Sequence, residues 1–210
     1  MKLFIAMLRI ILAAVSLVGL VLSLRLTIIH GDSIVNFFSY FTTIGTTFAC
    51  LMLLYSAVKL IRGQRFRRRD DLLRAMALIY MLLIAGVYFF LLRNTPLGND
   101  APWVNIVHHY VLPLALLADW IIQPPAGKIT LRSIWLALII PLAYLVYSLI
   151  RGAITGFYPY SFFNPAEQGG YGGVIIYCVA MLAGFLLLSF GVRWLGNLFV
   201  TRRLDARWSA

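Results

Sequence analysis

The chain has 210 residues, 62% of them hydrophobic, and a formal net charge of +11; its mean hydropathy is +0.90. That balance excludes an ordinary soluble domain. A membrane-crossing helix needs about 20 apolar residues, so this length allows roughly six crossings in one integral membrane domain, residues 1–210. The charge points to topology rather than to nucleic acid, because it is concentrated in loops beside apolar segments.

The first predicted span covers residues 3–24. It is too long for a signal-peptide apolar region and lacks a convincing small-residue cleavage site. Arg9, near its start, is expected to snorkel toward cytoplasmic headgroups. A polar turn with Arg25, His30, Gly31 and Asp32 follows, and His30 reads as solvated there. The second span, residues 34–56, is unusually polar in its first half: Asn36, Ser39, Thr42, Thr43, Thr46 and Thr47. Close helix packing and bonds back to the helix's own carbonyls account for most of these hydroxyls.

A basic loop carries Lys59, Arg62, Arg65, Arg67, Arg68 and Arg69. The third span, residues 72–92, is nearly all apolar and reads as scaffold. The connection after it contains Pro96, Gly98 and Pro102, a turn-rich composition. The fourth span, residues 103–122, reads WVNIVHHYVLPLALLADWII. Polar and titratable groups inside a membrane are costly and rarely accidental. Asn105, His108, Leu112 and Asp119 fall on one helical stripe, which is expected to face the protein interior. Pro113 is expected to kink the span.

The fifth span, residues 133–150, contains Pro141. Tyr144, Tyr147, Ser148 and Arg151 share one face near its end, where tyrosines usually form an interfacial belt. The loop RGAITGFYPYSFFNPAEQGGYGG reads as a lid on the membrane surface. The sixth span, residues 173–192, precedes a tail with Arg193, Arg202, Arg203 and Arg207. Cys50 and Cys178 lie in apolar segments and read as small hydrophobes. The fold class is therefore an all-α bundle of six transmembrane helices. With both termini cytoplasmic, only Arg25, Arg93 and Arg151 of the 18 basic residues fall outside, which sets the orientation.

In that orientation Thr42 lies roughly 12 Å and His108 roughly 8 Å below the outer surface, at 1.5 Å per helical residue. Both sit in the outer half of the membrane. Asp119 lies near the other face, where a partner Arg or Lys is the simplest explanation. An imidazole beside a threonine can take its proton and permit attack on an ester carbonyl. Spacing alone leaves two readings open, that chemistry or a helix-packing hydrogen bond.

Three motifs recur in order in one known family: SYFTTIG at residues 39–45, HHYVLP at 108–113 and TGFYPY at 155–160. The chain resembles the androgen-induced-gene family of multi-pass membrane proteins along most of its length. Bacterial members are small six-pass proteins, and some animal members are threonine hydrolases of fatty acid esters of hydroxy fatty acids. The resemblance implies a bacterial plasma-membrane protein with Thr42 as nucleophile and His108 as general base, and His109 on a different face. Thr46 departs from the pattern, since bacterial relatives often carry Asn there. The Tyr-Pro loop is also spaced differently from that of animal members.

The activity so implied is an intramembrane lipid-ester hydrolase acting in the extracytoplasmic half. Asn105 and Tyr144 are the oxyanion candidates, and Thr43 is a substrate-binding candidate beside Thr42. Membrane lipids and a lipid ester are the expected partners, without nucleic acid. The rival is a non-catalytic protein that binds or transports a lipid or small solute. No metal or cofactor is expected. Adjacent His108 and His109 do not suit bis-histidine haem ligation, no lysine lies mid-membrane for a retinal Schiff base, and the histidines and cysteines lack metal-ligand spacing.

Overall fold

The computed structural model describes residues 1–95 and 101–208, with side chains as far as Thr201. Pro96 and Gly98, and the side chains of Arg202, Arg203 and Arg207, lie outside the described residues. The described residues fold entirely into helices and their connections. Six helices are long and apolar enough to cross a membrane. In chain order the elements are α1 (Lys2–Ile29), α2 (Ile34–Phe38), α3 (Phe41–Ile61), α4 (Arg68–Val87), α5 (Pro102–Ile106), α6 (Leu112–Ile122), α7 (Leu131–Thr155) and α8 (Tyr171–Trp208). A π-helical turn, Tyr88–Leu92, extends α4, and another, Val107–Val111, joins α5 to α6 into one crossing.

Small residues set the closest packing. The buried face of α1 is Ala6, Arg9, Ala13, Ser16, Gly19 and Ser23, repeating every three or four residues. That stripe lets α1 lie directly on α3, which answers with Ala49, Cys50 and Ala57. Without bulky side chains between them the backbones approach closely, the usual basis of helix association in lipid. Helix α4 packs on α3, α6 and α8 and is the centre of the bundle.

One end of the bundle is tied by ions. Arg9 is 1% exposed. Its Nε donates to Asp119 Oδ1 at 2.8 Å and its Nη2 donates to Asp119 Oδ2 and to Gln123 Oε1. The expectation that Arg9 snorkels to headgroups is therefore corrected: an acceptor set on α6 satisfies the guanidinium inside the protein. Arg74 reaches the same carboxylate from α4, donating to Asp119 Oδ2 at 3.1 Å and to the Gln123 carbonyl at 2.7 Å. Asp119 thus has the cationic partners that its depth suggested. Beside it Lys59 pairs with Asp70, which also accepts from Tyr55 and from the Arg67 N–H. The Phe66 ring faces Arg9, Lys59 and Arg74 at 5.2–5.8 Å.

The opposite end is tied by hydroxyls. The second crossing is not the continuous helix expected over residues 34–56. It breaks at Ser39 and Tyr40, where Tyr40 is extended (φ −80°, ψ 133°). Three contacts hold the break. Ser39 Oγ donates to the Val35 carbonyl and pairs with Tyr147 Oη at 2.8 Å. Tyr144 Oη donates to the Ser39 carbonyl at 3.0 Å. Tyr144 and Tyr147 therefore grip α2 and α3 rather than forming a simple interfacial belt. Arg151 adds a bond from Nη2 to Asn36 Oδ1 at 2.6 Å.

Gly156, in the left-handed region at φ +73°, stops α7. A side chain at that φ would be strained, so glycine suits this sharp exit. The loop after it does not lie on the surface as the sequence suggests. Phe162 and Phe163 are each 3% exposed and join the hydrophobic core. Burying two phenylalanines contributes a few kcal/mol of transfer free energy, roughly 1.5–3 each, which anchors the loop in the bundle.

Candidate functional site

The hydroxyl-rich end encloses two cavities that meet. A polar vestibule of about 540 Å³ is lined by Asn36, Thr42, Thr43, Tyr88, Asn105 and His108 among others. A smaller apolar chamber of about 90 Å³ lies among α3, α4, α7 and α8, walled by Leu83, Leu138, Pro141, Met181 and Phe185. Thr42, Leu92, His109 and Tyr160 line both, so the two cavities adjoin at these residues. Leu142 and Leu182 belong to the chamber wall, and they are also 44% and 39% exposed on the outside of the bundle. Two side chains on the α7–α8 side of the chamber are therefore both lining and exposed.

Thr42 owes its position to the break. It is the second residue of α3, so its N–H has no carbonyl one turn back. That N–H donates instead to Tyr160 Oη at 3.3 Å, and Thr42 Oγ1 shares a hydrogen bond with the same phenol at 3.4 Å. Burial pushes the Tyr160 phenol above its ordinary pKa, desolvation being the largest cause. The phenol therefore remains protonated at neutral pH and keeps an O–H to donate. Its ring stacks on Phe162 at 5.0 Å and meets Tyr40 edge-on at 5.6 Å. Two aromatic neighbours thus fix where that O–H sits.

His108 is 4% exposed and turns toward α1. Its Nε2 lies 3.1 Å from the Ser16 carbonyl. A carbonyl only accepts, so Nε2 carries the proton and the lone pair of the neutral ring sits on Nδ1. Gly19 makes room for this ring, since a Cβ there would lie 3.0 Å from His108 Nε2. His109 is set differently. Its Nδ1 donates to the Asn105 carbonyl at 3.1 Å, and its ring stacks on Tyr88 with centroids 4.2 Å apart. Tyr88 is held in turn by Asn105 Nδ2 at 2.6 Å.

The sequence-derived residues separate as follows. Thr42, Thr43, Asn105 and His108 all line the vestibule. Thr43 is buried, and its carbonyl accepts from Thr47 Oγ1. Tyr144 lines the chamber, with its one donor committed to the Ser39 carbonyl. The sequence reading gave no role to Tyr160, Tyr88 or His109. Tyr160 lies within the TGFYPY motif, but no periodicity connects it to a helix 118 positions away. Among the described residues no group of three His, Cys, Asp or Glu side chains is placed to hold a metal ion. Compared with protein-family profiles, curated proteins and solved structures, the chain has no match.

Proposed function

We propose that the protein is an intramembrane ester hydrolase in which Thr42 is the nucleophile and His108 the general base. The observation that carries this reading is that Thr42 lines both a polar vestibule and an apolar chamber. An ester has the same two-sided character. Its acyl chain suits the chamber, its carbonyl would stand at Thr42, and its alcohol part and water would occupy the vestibule. The resemblance of SYFTTIG, HHYVLP and TGFYPY to the androgen-induced-gene family favours the same pair and a lipid ester of the hydroxy-fatty-acid type. The positive-inside count favours a site in the extracytoplasmic half of the membrane, and the resemblance favours a bacterial plasma membrane.

In the first half-reaction Thr42 Oγ1 attacks the ester carbonyl as its proton passes to His108. The tetrahedral oxyanion meets donors at the start of α3: the Thr42 N–H and the Tyr160 O–H, with Asn105 across the vestibule. Preorganised donors of this kind supply most of the electrostatic stabilisation in acyl transfer. The protonated His108 then gives its proton to the departing alcohol, and the acyl-threonine remains. Water hydrolyses it in the second half-reaction.

Intact-mass spectrometry after treatment with a fluorophosphonate probe tests the reading. The folded wild-type protein should gain one adduct on the peptide containing Thr42, and His108→Ala should not. A folded wild type that gains none overturns the hydrolase reading in favour of lipid or solute binding. Gly19→Ala refines the test. The added methyl must displace the His108 ring by a few tenths of an ångström, which should slow labelling roughly tenfold. The melting temperature should stay near that of wild type, because alanine gains helix propensity over glycine.

A further inference from the structure

We infer that His109 is a second general base, which activates the water that hydrolyses the acyl-threonine; this rests on the hydrolase reading above. Three observations point to it. First, His109 lines both the vestibule and the chamber together with Thr42 and Tyr160, whereas His108 lines the vestibule. A carbonyl attached to Thr42, with its chain in the chamber, would stand where the two cavities adjoin, which His109 also lines. Second, the tautomer is set. The Asn105 carbonyl takes the Nδ1 proton, so the lone pair of the neutral ring lies on Nε2, the nitrogen farther from its own helix. Third, the ring is held before any substrate arrives, stacked on Tyr88, which Asn105 Nδ2 fixes. Asn105 thus positions His109 twice, through its carbonyl and through its side chain by way of Tyr88.

The π-helical turn explains how two adjacent histidines serve one cavity. Neighbours on an α-helix point about 100° apart. The wide turn Val107–Val111, in which the Leu112 N–H donates to the Val107 carbonyl, carries both rings. One is directed to α1 and the other to Tyr88. Such turns are frequent at functional sites.

In the step proposed, a water in the vestibule gives a proton to His109 Nε2 while its oxygen bonds to the acyl carbon. The oxyanion forms against the Tyr160 O–H and the Thr42 N–H. Collapse breaks the bond from the acyl carbon to Thr42 Oγ1. The proton on His109 passes to that oxygen, restoring the threonine and the neutral imidazole, and the carboxylic acid leaves. Atoms and charge balance without any further reactant. His108 and His109 thereby divide the two half-reactions.

The test uses the purified full-length protein with p-nitrophenyl octanoate. Nitrophenol release is followed in rapid mixing, and the acyl adduct by intact mass. Two variants are compared with wild type: His109→Asn, whose amide keeps a donor near the Nδ1 position, and His109→Gln. In both, the initial burst should keep its wild-type rate and amplitude. The following steady-state rate should fall by about 100-fold, the usual size of a general-base contribution. The adduct should persist on Thr42, and in a third variant, His109→Gly, added imidazole should shorten its lifetime, which a purely structural role would not allow. Unchanged steady-state turnover in either variant, or loss of the burst in both, overturns the assignment. If wild type shows neither burst nor adduct, the hydrolase reading itself fails, which is a separate result.

Discussion

Thr42→Ala is expected to lower turnover of p-nitrophenyl octanoate by on the order of 10⁴-fold, with His108→Ala close behind and the double variant no worse than either. The non-additivity is the informative part. Nucleophile and base act as a unit, so once one is gone the other has nothing to do, and each loss corresponds to roughly 5.4 kcal/mol of barrier. Thr42→Ser should retain most of the activity, because the hydroxyl, the α3 N–H and Tyr160 are all kept. Steady-state rates on wild type and these four variants, normalised to folded protein by size-exclusion chromatography, check this. Two independent, multiplying losses would mean that Thr42 and His108 do not act in one step.

The second large effect concerns stability. Asp119→Ala removes the carboxylate that Arg9 and Arg74 share. Both guanidiniums are at most 6% exposed, so they would be left as buried charges without their main counter-ion. Breaking a buried ion pair from one side costs about 3–5 kcal/mol. The melting temperature in detergent should drop by on the order of 10 °C. Arg9→Met should cost less, because Asp119 still holds Arg74 and the methionine fills much of the volume. Arg9→Met combined with Asp119→Leu should recover part of the loss of Asp119→Ala, since no unpaired charge remains on α1 or α6. Thermal melts of the four proteins decide it, and equal stability of Asp119→Ala and wild type would mean that water already reaches this knot.

The six crossings were legible because hydropathy over a 20-residue window is a strong, local signal. The partnership of Asp119 was legible from depth, since a lone acid near the end of a crossing has few options other than a nearby cation. The break in the second crossing was not. The stretch Ser39-Tyr40-Phe41 contains neither proline nor glycine, and the break depends on tyrosines from α7 more than 100 positions away. Arg9 was misjudged for the same reason, because its acceptors lie on α6. The pairing of Thr42 with His108 rests on depth and on motif order, because spacing alone leaves a packing hydrogen bond open. His109 was passed over because an ideal α-helical wheel puts it off the stripe, and periodicity gives no sign of a π-helical turn. Tyr160, in a loop, has no periodicity by which to be recognised.

The exposure of Leu142 and Leu182 bears on what concentration would mean for a ligand of this chamber. Leu142 and Leu182 line the apolar chamber and are also exposed, on helices apolar enough to cross a membrane. A ligand that comes in past these side chains arrives by two-dimensional diffusion, and it is already desolvated when it does. Its occupancy then follows its mole fraction among the lipids, not its amount per litre of water. Adding inert phospholipid or detergent at fixed protein and fixed ligand would lower the apparent affinity by dilution alone. Apparent constants should therefore be compared in mole per cent, and the same chain would behave as a tight or a weak binder according to how much membrane surrounds it.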